Sequence, residues 1–278
     1  MQKGQIALGI GALILVLALY FGGNTLKNKD KKAVTAAQQQ DGISFEQYEQ
    51  QQIAKLPEAE KTQEEAVTKA IKGTTEQDTA ARKKLYLQLS DFWKQHSSMA
   101  MSAYFFYQFA QTEGTKPALE NAGDVLVSVY KSNTDTIILN KLITFALRSY
   151  EEAVKKDSSD VGLQIKLADA YVQGSPEPMK GIGMMKDLEH KHPDNIQVQI
   201  ALGRLSIQSG QLDKAKERFK KVLQTAPQNT EALYFMAITE AQLGHTNEAI
   251  RLFEMCKMIV NDKGFSKEID DIVKSLKK

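Results

Sequence analysis

Few residue groupings in this chain have the types and spacing of a reactive centre. His190-Lys191-His192, just before Pro193, could offer two imidazoles to one metal ion. At a helix end beside a proline, two exposed histidines complementing the helix dipole are the plainer reading. Gly181-Ile182-Gly183 evokes a phosphate-cradling turn, but no strand precedes it and no third glycine or Lys-Ser/Thr pair follows. Carboxylate pairs such as Glu151-Glu152 fall on a helix exterior, and His96 and His245 stand isolated at turns. Met179, Met184 and Met185 form a soft cluster suited to filling gaps in a core. The single cysteine, Cys256, occupies a packing position, where a buried thiol is the natural state, and it excludes an intrachain disulfide framework. No catalytic activity, metal or cofactor is expected on these grounds.

The elements that carry these residues are more informative than the residues themselves. A small residue, an aromatic or Met four later, and a small or aliphatic residue three after that recur along the chain. The pattern reads Ala103-Tyr107-Ala110, Ala146-Tyr150-Ala153, Gly181-Met185-Leu188, Ala215-Phe219-Val222 and Ala249-Phe253-Cys256. Offsets of four and seven place three residues on one helix face, so the small residue admits a partner helix and the aromatic fills the space beside it. The last three copies start 34 residues apart, which is the period of a helix-turn-helix solenoid. The most regular unit runs from Asn195 to Pro227, with Leu202-Gly203 in its first helix, Gly210 at the turn, and Ala215 and Phe219 in its second. The next unit repeats this with Gly244, Ala249 and Phe253, with Asn261 where the proline would stand. Helices are expected near 80–96, 98–112, 116–131, 134–156, 160–173, 178–191, 195–209, 212–225, 229–243, 246–259 and 265–277.

These residues resemble the tetratricopeptide repeat (TPR), whose pattern places Leu-Gly, Tyr, Gly, Ala, Phe, Ala and Pro at these offsets. The match is good over 195–261 and fair over 161–194, where Leu167-Ala168, Tyr171 and Pro193 fit around an extra residue in Gly174–Pro178. Upstream, Trp93 roughly takes the Tyr position, and Ala146-Tyr150-Ala153 follows an unusually long stretch containing Gly123, so lengthened helices are expected there. The resemblance implies an all-α, right-handed TPR-type solenoid of about five helix pairs over 80–264, closed by a capping helix over 265–278. It also implies a concave face lined by first helices, at Ile165, Asp169 and Val172, at Gln197, Ile200, Arg204 and Ile207, and at Tyr234, Ile238 and Ala241. Some TPR domains clamp a C-terminal carboxylate with Lys and Asn at two such places. Here Ile165 with Asp169 and Ile200 with Arg204 stand instead, so that clamp is absent. An apolar strip with one Arg and one Asp favours an extended or helical peptide with hydrophobic anchors.

The N-terminus adds a second signal. Ile6 to Gly23 is 18 residues without a charge, roughly 27 Å as a helix against a hydrocarbon core of about 30 Å. Lys3 and Lys27 can snorkel and Tyr20-Phe21 suits an interface. No Ala-x-Ala-like cleavage site follows, so an uncleaved single-pass anchor over 1–26 in a cell (inner) membrane is expected. Lys27, Lys29, Lys31 and Lys32 on the C-terminal flank leave the repeats in the cytoplasm by the positive-inside rule, while a short N-tail is equally compatible with a signal anchor pointing outward. Residues 27–79, rich in Gln, Glu, Ala and Lys, read as loosely attached helices acting as a spacer. Of the 278 residues, 42% are apolar and 25% charged, with a net charge of +2 of mixed sign, so there is no footprint for nucleic acid. The expected function is a membrane-anchored TPR adaptor recruiting a protein partner to a bacterial-type envelope or membrane complex. The alternatives are a homo-oligomeric scaffold paired through 43–71 and an accessory subunit of a secretion or envelope-assembly enzyme system.

Overall fold

Short polar side chains and glycines set where the helices begin and end. Asp160, Asn195, Asn229 and Asp262 each accept a hydrogen bond from the backbone N–H three residues on, at 2.9, 3.1, 2.9 and 2.8 Å. Each bond satisfies one of the donors that a helix N-terminus leaves without a partner. Gly210 (φ +71°) and Gly244 (φ +81°) turn the chain between the helices of their units, in a backbone region that side chains strain.

The computed structural model describes residues 44–132 and 136–277, and among them all regular structure is α-helical, in thirteen helices. A first hairpin consists of α1 (Phe45–Ala54) and α2 (Glu58–Gly73). Five helix pairs follow. They are α3 (Thr79–Gln95) with α4 (Met99–Glu113), α5 (Lys116–Ser132) with α6 (Thr136–Lys156), and α7 (Val161–Gly174) with α8 (Pro178–Lys191). The last two are α9 (Ile196–Gln208) with α10 (Leu212–Thr225), and α11 (Thr230–Gln242) with α12 (Thr246–Val260). A terminal helix, α13 (Lys263–Leu276), packs on α12. Every helix from α3 onward falls within two residues of its expected bounds. The expected all-α repeat solenoid is therefore the architecture found.

Two of the five pairs, α5–α6 and α9–α10, are closed by an aromatic ring against a backbone without a side chain. A Cβ built on Gly203 of α9 would lie 2.5 Å from the ring carbons of Phe219 on α10. Gly123 of α5 stands in the same relation to the Tyr150 ring on α6. Phe219, Phe253 and Tyr150 are buried, with Ala215, Ala249 and Ala146 buried one turn before them. This equivalence explains the long helices α5 and α6. Nine residues run from Gly123 to the end of α5, against five from Gly203 to the end of α9. Fourteen run from the start of α6 to Tyr150, against seven from the start of α10 to Phe219. The additions are four and seven residues, close to one and two helical turns, so both helices keep the same face toward each other.

Residues 44–73 are not the loose spacer expected there. Ser44 caps α1 reciprocally with Gln47, at 3.2 and 2.8 Å. Phe45 stacks on Tyr104 of α4 with centroids 3.7 Å apart and meets Phe145 of α6 edge-on at 5.7 Å. Phe45 and Tyr48 are buried one turn apart, while Gln47, Gln50 and Gln51 are exposed. Low complexity on the wet face had concealed the apolar pair beneath it. The apolar segment 6–23 lies outside the described residues. Among the described residues, no helix is long and apolar enough to cross a membrane.

Two consequences can be measured. Gly→Ala in an exposed helix stabilises by up to about 1 kcal/mol. Gly203→Ala should instead destabilise by about 1–3 kcal/mol, because the Phe219 ring must move. Urea unfolding gives the sign directly. The second concerns Glu64 of α2, which is 1% exposed and accepts a hydrogen bond from Thr68 at 3.0 Å. Burial raises its pKa, and burial with repulsion from Glu64 pushes Glu49 of α1 up to about 7. A carboxyl whose folded pKa is raised lends stability below its unfolded value near 4.5, and this is lost as pH climbs toward 7. Asp157, held down to about 2 by Lys116, acts in the opposite sense and only below its ordinary 3.8. Glu49→Gln should therefore flatten the fall in stability between about pH 5 and pH 8 and raise the denaturation midpoint at the upper end.

Candidate partner-binding face

The ring-on-glycine relation fixes which residues of successive first helices are equivalent. The residue after the small position is Asp124 on α5, Asp169 on α7, Arg204 on α9 and Ile238 on α11. Three residues before the small position stand Glu120, Ile165, Ile200 and Tyr234. Equivalent positions on neighbouring first helices meet. Arg204 donates to Asp169 Oδ2 at 2.5 Å and to Glu231 Oε1 of α11 at 3.4 Å, so one guanidinium links three helices. Its Cζ also lies 5.8 Å from the Phe235 ring centroid, and Phe235 stacks on Phe219 at 6.0 Å. Burial raises the Asp169 pKa, while Arg204 and Lys131 pull it down. One pair further back, Lys166 Nζ on α7 donates to Glu120 at 2.8 Å and Asp124 at 2.7 Å on α5. Asp124 also accepts the Tyr150 hydroxyl at 2.8 Å, and burial with that bond to a carboxylate raises the phenol's pKa.

The ten expected groove residues do not form one uniform strip. Gln197 is exposed, and Asp169, Val172, Arg204, Ile207, Tyr234, Ile238 and Ala241 are partly exposed. Ile165 and Ile200 are buried, Ile165 with Met185 and Leu188, Ile200 with Phe219 and Met236. Both turn inward because the helix face three residues before the small position is also the face met by the next pair. Tyr234 has its ring 5.6 Å from Phe253 of its own pair and reaches beyond that pair, with the ring 6.4 Å from Phe265 of α13 and the hydroxyl 3.5 Å from Glu268. Ile207 and Ile238 pack partly on the core and leave an edge to solvent. Glu120, Asp124, Glu231 and Glu268 share this face although sequence reading passed them over. Gly123 was their signal, since aligning it with Gly203 puts Glu120 and Asp124 at groove positions.

The groupings considered for other chemistry come apart. His190 and His192 are exposed, and among the described residues no three His, Cys, Asp or Glu side chains could hold a metal ion. Met185 is buried, while Met179 is 60% exposed. Cys256 is buried, and burial pushes its thiol up to about 11, which keeps it unreactive.

Residues 207–262 match the family model described as Tetratricopeptide repeat. That segment is of tetratricopeptide type. The TPR domain is similar to TTC0263, a thermophilic TPR protein in Thermus thermophilus, at 16% identity and a TM-score of 0.50, over 70% of this chain and 98% of that one. Likeness at that identity shows the fold. YrrB, a TPR protein with an unusual peptide-binding site, is 18% identical with a TM-score of 0.39, over 75% and 99% of the two chains. MamA from Desulfovibrio magneticus is 12% identical with a TM-score of 0.42, over 66% and 97%. No curated protein matches the chain.

Tyr234 is positioned to hold α13 in place. Tyr234→Ala should cost about 2–4 kcal/mol. It should also raise amide hydrogen exchange in α13 before α9 and α10 are affected. Exchange measured by mass spectrometry on both helices separates this local loss from global unfolding.

Proposed function

We propose that the protein is a membrane-tethered TPR adaptor that holds a protein or peptide partner on the face of α7, α9 and α11. The observation that carries this reading is the line of Asp169, Arg204 and Glu231 across three first helices, bordered by the partly exposed Val172, Ile207 and Ile238. A face with polar groups fixed in position and apolar edges left open suits an extended or helical peptide. The uncharged segment 6–23 supplies the tether, and the lysines at 27, 29, 31 and 32 favour a cytoplasmic repeat domain by the positive-inside rule. Recruitment to an envelope or membrane complex follows from joining such a tether to such a face.

One experiment tests tether and face together. Full-length protein carrying a photocrosslinking amino acid at Gln197 is irradiated in membranes and washed in alkaline carbonate. It should stay in the pellet and yield a discrete adduct, and the same probe at Lys220 on α10 should not. Deleting residues 1–26 should move the chain to the supernatant. Equal adducts from both sites would remove the face, and carbonate release of the full chain would remove the tether.

A further inference from the structure

The charges on this face do not follow those of the whole chain. The protein carries a net +2, yet the groove positions of the first helices are rich in carboxylates. At one end stand Glu120 and Asp124, 28% and 44% exposed, which share the single amine of Lys166. In the middle, Arg204 divides its guanidinium between Asp169 and Glu231. At the other end, Glu268 of α13 meets the Tyr234 hydroxyl, at 3.5 Å. Lys131 adds one more cation near Asp169. Two of these three cations, Lys166 and Arg204, are thus already engaged by two carboxylates each.

Resting on the adaptor reading above, we propose that this face selects an apolar peptide bearing lysine or arginine, with cations meeting Glu120 and Asp124 at one end and Glu231 and Glu268 at the other. The open edges of Val172, Ile207 and Ile238 receive the apolar side chains between those ends. At Lys166 or Arg204 an acidic peptide would have to displace an existing ion pair before gaining one. A basic peptide instead adds a partner to carboxylates that share a cation, as Glu120, Asp124 and Glu231 do, or that meet a hydroxyl, as Glu268 does. The same arrangement accounts for the missing carboxylate clamp, because the arginine at its place is closed off from both sides.

The test uses the full-length chain and three fluorescein-labelled peptides that share one leucine pattern and differ only in Lys, Gln or Glu at the polar positions. Fluorescence anisotropy at low salt should give the Lys peptide an affinity about tenfold or more above that of the Glu peptide. The preference should shrink severalfold in about 0.5 M salt, where exposed charges are screened. Glu231→Lys with Glu268→Lys should abolish or reverse it, and Glu231→Gln with Glu268→Gln should weaken it at unchanged helical content. Gln or Glu peptides binding as tightly as the Lys peptide would overturn the charge preference and leave the groove standing. Failure of all three to bind would overturn the groove reading, and the inference with it. A Lys preference untouched by either double variant would place the site elsewhere and overturn the assignment.

Discussion

The contact that sets the array is a large side chain of each second helix lying on a small residue of the first, and in two pairs it is an aromatic ring against bare backbone. Phe219 over Gly203 and Tyr150 over Gly123 bring two helices closer than any side chain at the glycine would allow. Dispersion falls steeply with distance, so this close approach is where a pair of short helices gains most of its packing. It also fixes rotation, because the ring has only one place to go. Once the rotation of each pair is set, the outward positions of its first helix are set too. Arg204, next to Gly203 in the chain, then stands within reach of Asp169 and Glu231.

Much of this was legible in the sequence, for a physical reason. Packing positions recur because each pair solves the same steric problem, and recurrence can be read without coordinates. Ala215, Phe219, Ala249 and Phe253 were legible in this way, and helix ends followed from Asn195, Gly210, Pro227 and Gly244. The α5–α6 pair was harder, since its signature residues stand 27 apart where Gly203 and Phe219 stand 16 apart. Additions of whole turns disrupt spacing along the chain while preserving it in space. The role of Phe45 and Tyr48 was hidden for another reason, because glutamine on one face of α1 dominates its composition while two residues decide its docking.

The candidate face was legible in outline and not in charge. A repeat pattern identifies positions, and positions alone indicated Asp169, Arg204 and Ile238. Which charges meet depends on contacts between different pairs, at separations of 27, 35, 42 and 46 residues. Those separations differ because different positions of the first helices meet, and because the extra residue at 174–178 and the lengthened hairpin shift the register along the chain. Ile165 and Ile200 illustrate the same limit. They occupy groove positions by count, and the next pair buries them.

The placement of α13 bears on how many molecules such a protein assembles into. Tyr234 and Glu268 are 34 residues apart, so α13 lies where the first helix of one more repeat would lie. Its Ile269 and Val273 are buried against the last pair, while Lys267, Asp270, Asp271 and Lys274 face water. A solenoid end is a head-to-tail surface, and one that docks onto another copy never closes on itself, so it grows into fibres. The outer side of α13 is poorly suited to such stacking, because its Lys267, Asp270, Asp271 and Lys274 would have to lose their water.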